Sequence, residues 1–206
     1  RLNSAGHSAC MITNGVLLTP QRQTEVIEAG IAQIQVSVHG LEMATVETVM
    51  PRGAKPKAVR RNLENLARVR PESLRVRINF VETESNAHVR RDVAAFARAN
   101  GFGFFFRRQH SRGGHLVPDR GAGRDDGCGI FASVTFISSD GDVLPCVNDV
   151  GGDGRFGNVR DLEWGQIVAW KRSVIEQDRW FAACEPCDDD YRWVLIGQGG
   201  LDAQRS

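Results

Sequence analysis

Residues 74–81 read LRVRINFV. Apolar Leu74, Val76, Ile78 and Phe80 alternate with polar Arg75, Arg77 and Asn79, and Val81 leaves the end of the run apolar. That alternation, rich in β-branched residues, predicts a strand covered on one side. The flanking segments read as helices. Upstream, Val59, Leu63, Leu66, Ala67 and Arg70 follow one face at helical spacing, and Pro71 ends the run. Downstream, Ser85 or Asn86 caps a helix with the apolar face Val89, Val93, Phe96 and Ala97, stopped by Asn100-Gly101. A strand set between two helices is the unit from which parallel sheets are wound.

The same alternation extends in both directions. Residues 102–106 (FGFFF) read as a further strand. Residues 31–38 (IAQIQVSV) form another, ending at His39-Gly40, with a Thr, Pro and Gly-rich loop over residues 41–56. Before it, Thr19-Pro20 opens a helix that runs through Val26 and Ile27 to Gly30. The first strand covers residues 9–13 and breaks at Asn14-Gly15. Four strands and three helices fall short of a closed barrel. They suit the later part of one, or a small open α/β sheet.

The character changes after Arg108. Residues 111–127 are rich in glycine and poor in apolar side chains, so they are expected to be a linker between a unit at 1–110 and a second at 128–206. In that second part, residues 131–137 are expected as one strand, Ser139-Asp140-Gly141 as a hairpin turn and residues 142–146 as the return strand. Asp161 is expected to cap a helix carrying Ile167, Trp170 and Val174 on one side. The tail after Gly197 is expected to fray.

The chain has 206 residues, 41% hydrophobic and 25% charged, which is enough to bury a core. Its 26 basic and 25 acidic residues leave a net charge of +1, so no charge excess points to nucleic acid or an anionic membrane. No apolar run approaches the roughly 18 residues a spanning helix needs. No secretory leader opens the chain, and a reducing, cytoplasmic setting is expected.

The five cysteines are unevenly placed. Cys10 lies alone in an apolar run and is expected to be an inert buried thiol. Twelve residues separate Cys128 from Gly141, four separate Gly141 from Cys146, and 37 more lead to Cys184-Glu185-Pro186-Cys187. Two cysteines thus flank a hairpin and two sit on a CxxC loop, a four-thiolate pattern that suits tetrahedral zinc or a 4Fe–4S cluster. Spacing does not choose between them. Asp188 to Asp190 are expected to form a solvated acidic loop.

Cys128-x12-Gly141-x4-Cys146 resembles the opening signature of the SPASM/twitch domains at the C-terminus of radical S-adenosylmethionine enzymes. Residues 139–146 (SDGDVLPC) are similar to that family's hairpin, and Phe156-Gly157-Asn158-Val159 resembles its GN(I/V) turn. Upstream, Ile12-Thr13-Asn14-Gly15 and Val36-Ser37-Val38-His39-Gly40 resemble the third and fourth strands of the enzymes' partial (βα)6 barrel. Residues 74–81 and 102–108 fit strands five and six.

The resemblance implies an α/β fold: the later part of a partial (βα)6 barrel, then a small cysteine-rich α+β cluster-binding domain. It implies one auxiliary 4Fe–4S cluster on Cys128, Cys146, Cys184 and Cys187, because no cysteine follows Cys187. It implies S-adenosylmethionine contacts at Ser37, at the ribose position, and at Asn79. A satisfied strand hydroxyl and an edge amide are the plainer readings of that pair. Arg107 and Arg108 would stand at the barrel mouth, or be a surface pair.

The family's CxxxCxxC loop and its Gly-Gly-Glu-type segment are absent here. The expectation is therefore the C-terminal portion of such an enzyme, inactive alone. The intact protein would carry a second 4Fe–4S cluster and S-adenosylmethionine, generate a 5′-deoxyadenosyl radical, and modify a peptide, protein or small molecule. An external electron donor is implied, and no nucleic-acid or membrane partner is expected. The alternatives are a non-enzymatic iron–sulfur electron carrier and a zinc-stabilised binding module.

Overall fold

The computed structural model describes residues 6–42, 45, 46, 49, 55–116 and 128–189. The chain divides into two compact units, Arg1–Gln109 and His110–Ser206.

The first unit alternates strand and helix in chain order: β1 (Cys10–Thr13), α1 (Pro20–Glu28), β2 (Gln33–Ser37), α2 (Pro56–Val69), β3 (Arg75–Glu82), α3 (Arg90–Ala99) and β4 (Gly103–Arg108). Prolines open both α1 and α2, where their missing N–H costs nothing. Arg70, held extended ahead of Pro71, ends α2. A short 3-10 turn, Ala87–Val89, leads into α3.

All four strands run parallel in the order β1-β2-β3-β4. Ile34, Val36, Val76, Ile78 and Phe80 point to one face and are almost wholly buried with Leu63, Leu66, Val93 and Ala97 of the helices. The alternate positions of β2 and β3 carry Gln33, Gln35, Ser37, Arg75, Arg77 and Asn79, so the middle of the opposite face is polar, with Ile12 of β1 and Phe105 of β4 beside it. On it, Asn79 Nδ2 donates to Gln35 Oε1 (3.0 Å) and Arg77 Nε donates to Asn79 Oδ1 (3.1 Å). The Arg77 guanidinium also lies 4.8 Å from the Phe105 ring centre. This is a four-stranded parallel α/β sheet with β1 and β4 at its edges; closure into a barrel is not seen among the described residues.

Two expectations change in this unit. Cys10 is exposed, because it opens an edge strand and shares the polar face with its register partner Gln33. Asn79 is not an edge amide, since β3 is flanked by both β2 and β4.

The second unit holds α4 (Gly129–Ser133), β5 (Phe136–Ile137), β6 (Asp142–Leu144), β7 (Gly157–Asn158), α5 (Trp164–Glu176) and a 3-10 turn, Ala182–Cys184. The three strands form an antiparallel sheet in the order β5-β6-β7. The hairpin turn closes through Gly141 N–H to the Ser138 carbonyl (3.0 Å), with the Asp142 amide on Ser138 Oγ (3.1 Å).

The strand expected over residues 131–137 is corrected: its first part is helix α4, and only Phe136–Ile137 pair as a strand. The turn of helix puts Phe131, 3% exposed, among Trp170, Trp180 and Phe181, with ring centres 5.5–5.6 Å away. Aromatic packing outweighs the strand preference of an apolar run. The GN turn is strand β7, paired to β6. Glu163, not Asp161, occupies the N-cap of α5, and its amide donates to Gln166 Oε1 (2.8 Å).

The expected linker opens with packed residues, since Ser111 is fully buried; residues 117–127 lie outside the described ones, as do Asp190 and the tail after Gly197. Among the described residues no helix is long and apolar enough to cross a membrane.

Candidate metal centre

Cys128, Cys146, Cys184 and Cys187 line one cavity in the second unit, and none of the four is in a disulfide. Each comes from a different local structure. Cys128 holds the N-cap position of α4. Cys146 follows Pro145 where the chain leaves β6. Cys184 closes the 3-10 turn, and its amide donates to the Phe181 carbonyl (2.8 Å). Cys187 folds back so that its amide donates to the Cys184 carbonyl (3.2 Å), which turns the CxxC into a tight loop. The structure thus brings all four sequence-predicted cysteines together.

The rest of the lining is mostly apolar, with Phe131, Pro145, Val147, Trp180 and Phe181 around the sulfurs. Burial pushes the Cys146 thiol up to about 11 from its ordinary 9.0, and the Cys184 and Cys187 sulfurs add to the rise. The amides of Asn148 and Asp149 oppose it; the Asn148 N–H donates to Cys146 Sγ at 3.3 Å.

A single zinc ion needs its sulfurs about 2.3 Å from one point. Among the described residues no three His, Cys, Asp or Glu side chains converge in that way. A cubane cluster asks for something wider: one thiolate per iron at four separated corners. Four cysteines around one apolar cavity, with an amide N–H on one sulfur, are a donor set that suits such a group.

The acidic loop expected to be solvated is corrected. Asp188 and Asp189 are 5% and 3% exposed, while Asp190 lies outside the described residues. Asp188 Oδ1 accepts from both the Ser111 amide (2.6 Å) and the Ser111 hydroxyl (2.7 Å). Burial works against the Asp188 charge, but the two Ser111 bonds and nearby His110 prevail and hold its carboxyl below the ordinary range. Asp189 Oδ2 accepts from Asn148 Nδ2 (3.4 Å) and lies 3.8 Å from His110 Nε2. Sequence reasoning missed Ser111, Asn148 and the two aspartates as parts of this site. Ser111 and Asp188 are 77 residues apart, and only the run of acids directly after Cys187 signalled anything.

In the first unit, Ser37 and Asn79 are register partners on β2 and β3. The Asn79 amide is engaged by Gln35 and Arg77, whereas Ser37 lines a pocket with Asn14, His39 and Lys55 beyond the ends of β1 and β2. His39 Nδ1 is buried there without a hydrogen-bond partner, a feature the sequence did not reveal. Arg107 and Arg108 end β4, in register with Val81 and Glu82.

No curated protein matches the chain. Its C-terminal part does have a counterpart: residues 128–189, which carry all four cavity-lining cysteines, match the family model of SPASM, an iron–sulfur cluster-binding domain.

Proposed function

We propose that the chain is the C-terminal portion of a radical S-adenosylmethionine enzyme, with an auxiliary 4Fe–4S cluster held by Cys128, Cys146, Cys184 and Cys187. The observation that carries this reading is the gathering of those four thiols around one apolar cavity, within the segment that matches a cluster-binding domain. When bound, the cluster supplies one-electron chemistry or an anchoring iron. The chain's own residues supply the surroundings. Phe131, Trp180 and Phe181 line the cavity beside the sulfurs, and the Asn148 amide offsets charge on Cys146.

The first unit supports the barrel half of the proposal through its winding. Doubly wound sheets reverse their strand order, whereas barrels add each strand beside the last. Here the order is sequential throughout. A parallel sheet is ordinarily covered on both faces. A polar face of Gln35, Asn79 and Arg77 suits the lining of a ligand-binding barrel better than the back of a helix layer. Ser37, at the C-terminal end of β2, is the residue we assign to the S-adenosylmethionine ribose, with Asn79 behind it. The substrate in this reading is a peptide, protein or small molecule, and an external donor supplies electrons.

The test is anaerobic reconstitution of the full chain with iron and sulfide. Equal amounts of iron and inorganic sulfide, with brown charge-transfer absorbance, are expected. Cys184→Ser should lose most of both. Zinc without sulfide would favour the binding-module alternative, and full iron in the variant would remove Cys184 from the ligand set.

A further inference from the structure

The segment after β4 does more than join two units. Ser111 is fully buried, and three of its polar groups are committed. Its amide and hydroxyl both reach Asp188 Oδ1, the hydroxyl also lies 2.9 Å from the Pro186 carbonyl, and its own carbonyl accepts from the Leu116 amide (2.7 Å). Pro186 sits inside the CxxC loop and Asp188 directly follows Cys187, so both contacts grip the ligand loop itself.

The glycines that follow lie flat against the same structure. Gly113 has φ +64, and a Cβ there would stand 3.0 Å from the Asn148 carbonyl oxygen and 3.1 Å from that of Ala183. Gly114 has φ +86, and a Cβ there would stand 3.0 Å from Pro186 Cγ. The strap therefore touches both the loop after Cys146 and the loop that carries Cys184 and Cys187. Asp189 completes the tie by accepting from the Asn148 side chain, while the Asn148 amide donates to Cys146 Sγ.

We infer that Ser111 is a positioning residue for the metal centre: clasped to Asp188 and Pro186, it holds the Cys184–Cys187 loop in its ligating conformation against the Cys146 loop. This inference rests on the cluster reading above. It adds a residue outside the matched segment 128–189, from a stretch whose composition reads as linker. Ligand-orienting partners of this kind matter because a thiolate displaced from its corner binds its iron poorly.

The experiment compares the reconstituted full chain with Ser111→Ala, Asp188→Ala, Asp188→Asn and the double Ser111→Ala/Asp188→Ala variant. Ser111→Ala should release iron to a chelator at least about tenfold faster, the lower end of the loss seen when an outer-shell partner is removed. The double variant should lose less than the two single ones summed, since both break the same hydroxyl–carboxylate contact. Asp188→Asn keeps an oxygen acceptor for Ser111 and should stay close to wild type. The electron paramagnetic resonance signal of the reduced cluster should shift in Ser111→Ala, which a merely looser fold elsewhere would not cause. Wild-type iron release by Ser111→Ala, or additive losses in the double variant, would overturn the assignment.

If the wild-type chain takes up no iron and sulfide, the cluster reading fails, and the clasp is judged on the metal-free chain. Maleimide should then label Cys184 and Cys187 faster in Ser111→Ala, with exposed Cys10 as an unchanged internal standard. Equal labelling rates would sink the clasp by itself.

Discussion

His39 shows how one side chain links the fold to solution conditions. Its carbonyl accepts from Asn86 Nδ2 (3.2 Å), while burial lowers the imidazole pKa below the ordinary 6.5; a hydrogen bond with the Val81 backbone only partly offsets this. The unfolded chain therefore takes up a proton here more readily than the folded one. Stability that depends on the neutral ring is present above about 6.5 and is lost as the pH falls below it. The first unit should thus unfold at lower denaturant concentration at about pH 5.5 than at about pH 7.5, near the histidine range. His39→Gln should flatten that difference, and an unchanged pH dependence in the variant would assign the effect to other groups. None of this was legible in the sequence. A histidine before a glycine reads as a strand end, and only the three-dimensional pocket reveals its burial.

At the scale of elements, two glycines of the second unit should answer the same substitution with opposite signs. Gly141 closes the β5–β6 turn at φ +91, and a Cβ there would meet Asn158 Oδ1 at 2.9 Å. Gly141→Ala should cost more than about 1 kcal/mol, through both backbone strain and the close contact. Gly165 lies in the first turn of α5 with nothing within 4 Å of its would-be Cβ. Gly165→Ala should stabilise by about 0.5 kcal/mol, by narrowing the unfolded ensemble. Denaturant midpoints followed by tryptophan fluorescence would check both. The elements that were legible share one trait: their signal is local. The alternation of β3, the prolines opening α1 and α2, and the Ser139-Asp140-Gly141 turn each carry their cause within a few residues. Helix α4 was not legible, because Phe131 is placed by rings 39 or more positions away in the chain. Ser111 was misread for the same reason, since its composition resembles a linker and its partner is distant. The four cysteines were legible as a set from their spacing, and in the structure they line one cavity.

For the whole molecule, each unit has its own core, one built of aliphatic side chains and phenylalanines between sheet and helices, the other aromatic around Phe131 and Trp170. All four tryptophans fall in the second unit. Tryptophan fluorescence therefore reports that unit alone, while circular dichroism reports both. Removing iron should lower the fluorescence-detected melting temperature and leave a second, dichroism-only transition in place. A single coincident transition that moves as one with iron would show that the units unfold together. The cavity also fixes the chemistry of loading. A thiol with its pKa near 11 still carries its proton at neutral pH. As a ligand of the proposed cluster, Cys146 would have to surrender that proton, which would make the cradle an acid reservoir as well as a metal seat. In lightly buffered solution, assembling the cluster should acidify the medium beyond a protein-free control given the same iron and sulfide, and a pH electrode then reads the thiol protons as the excess.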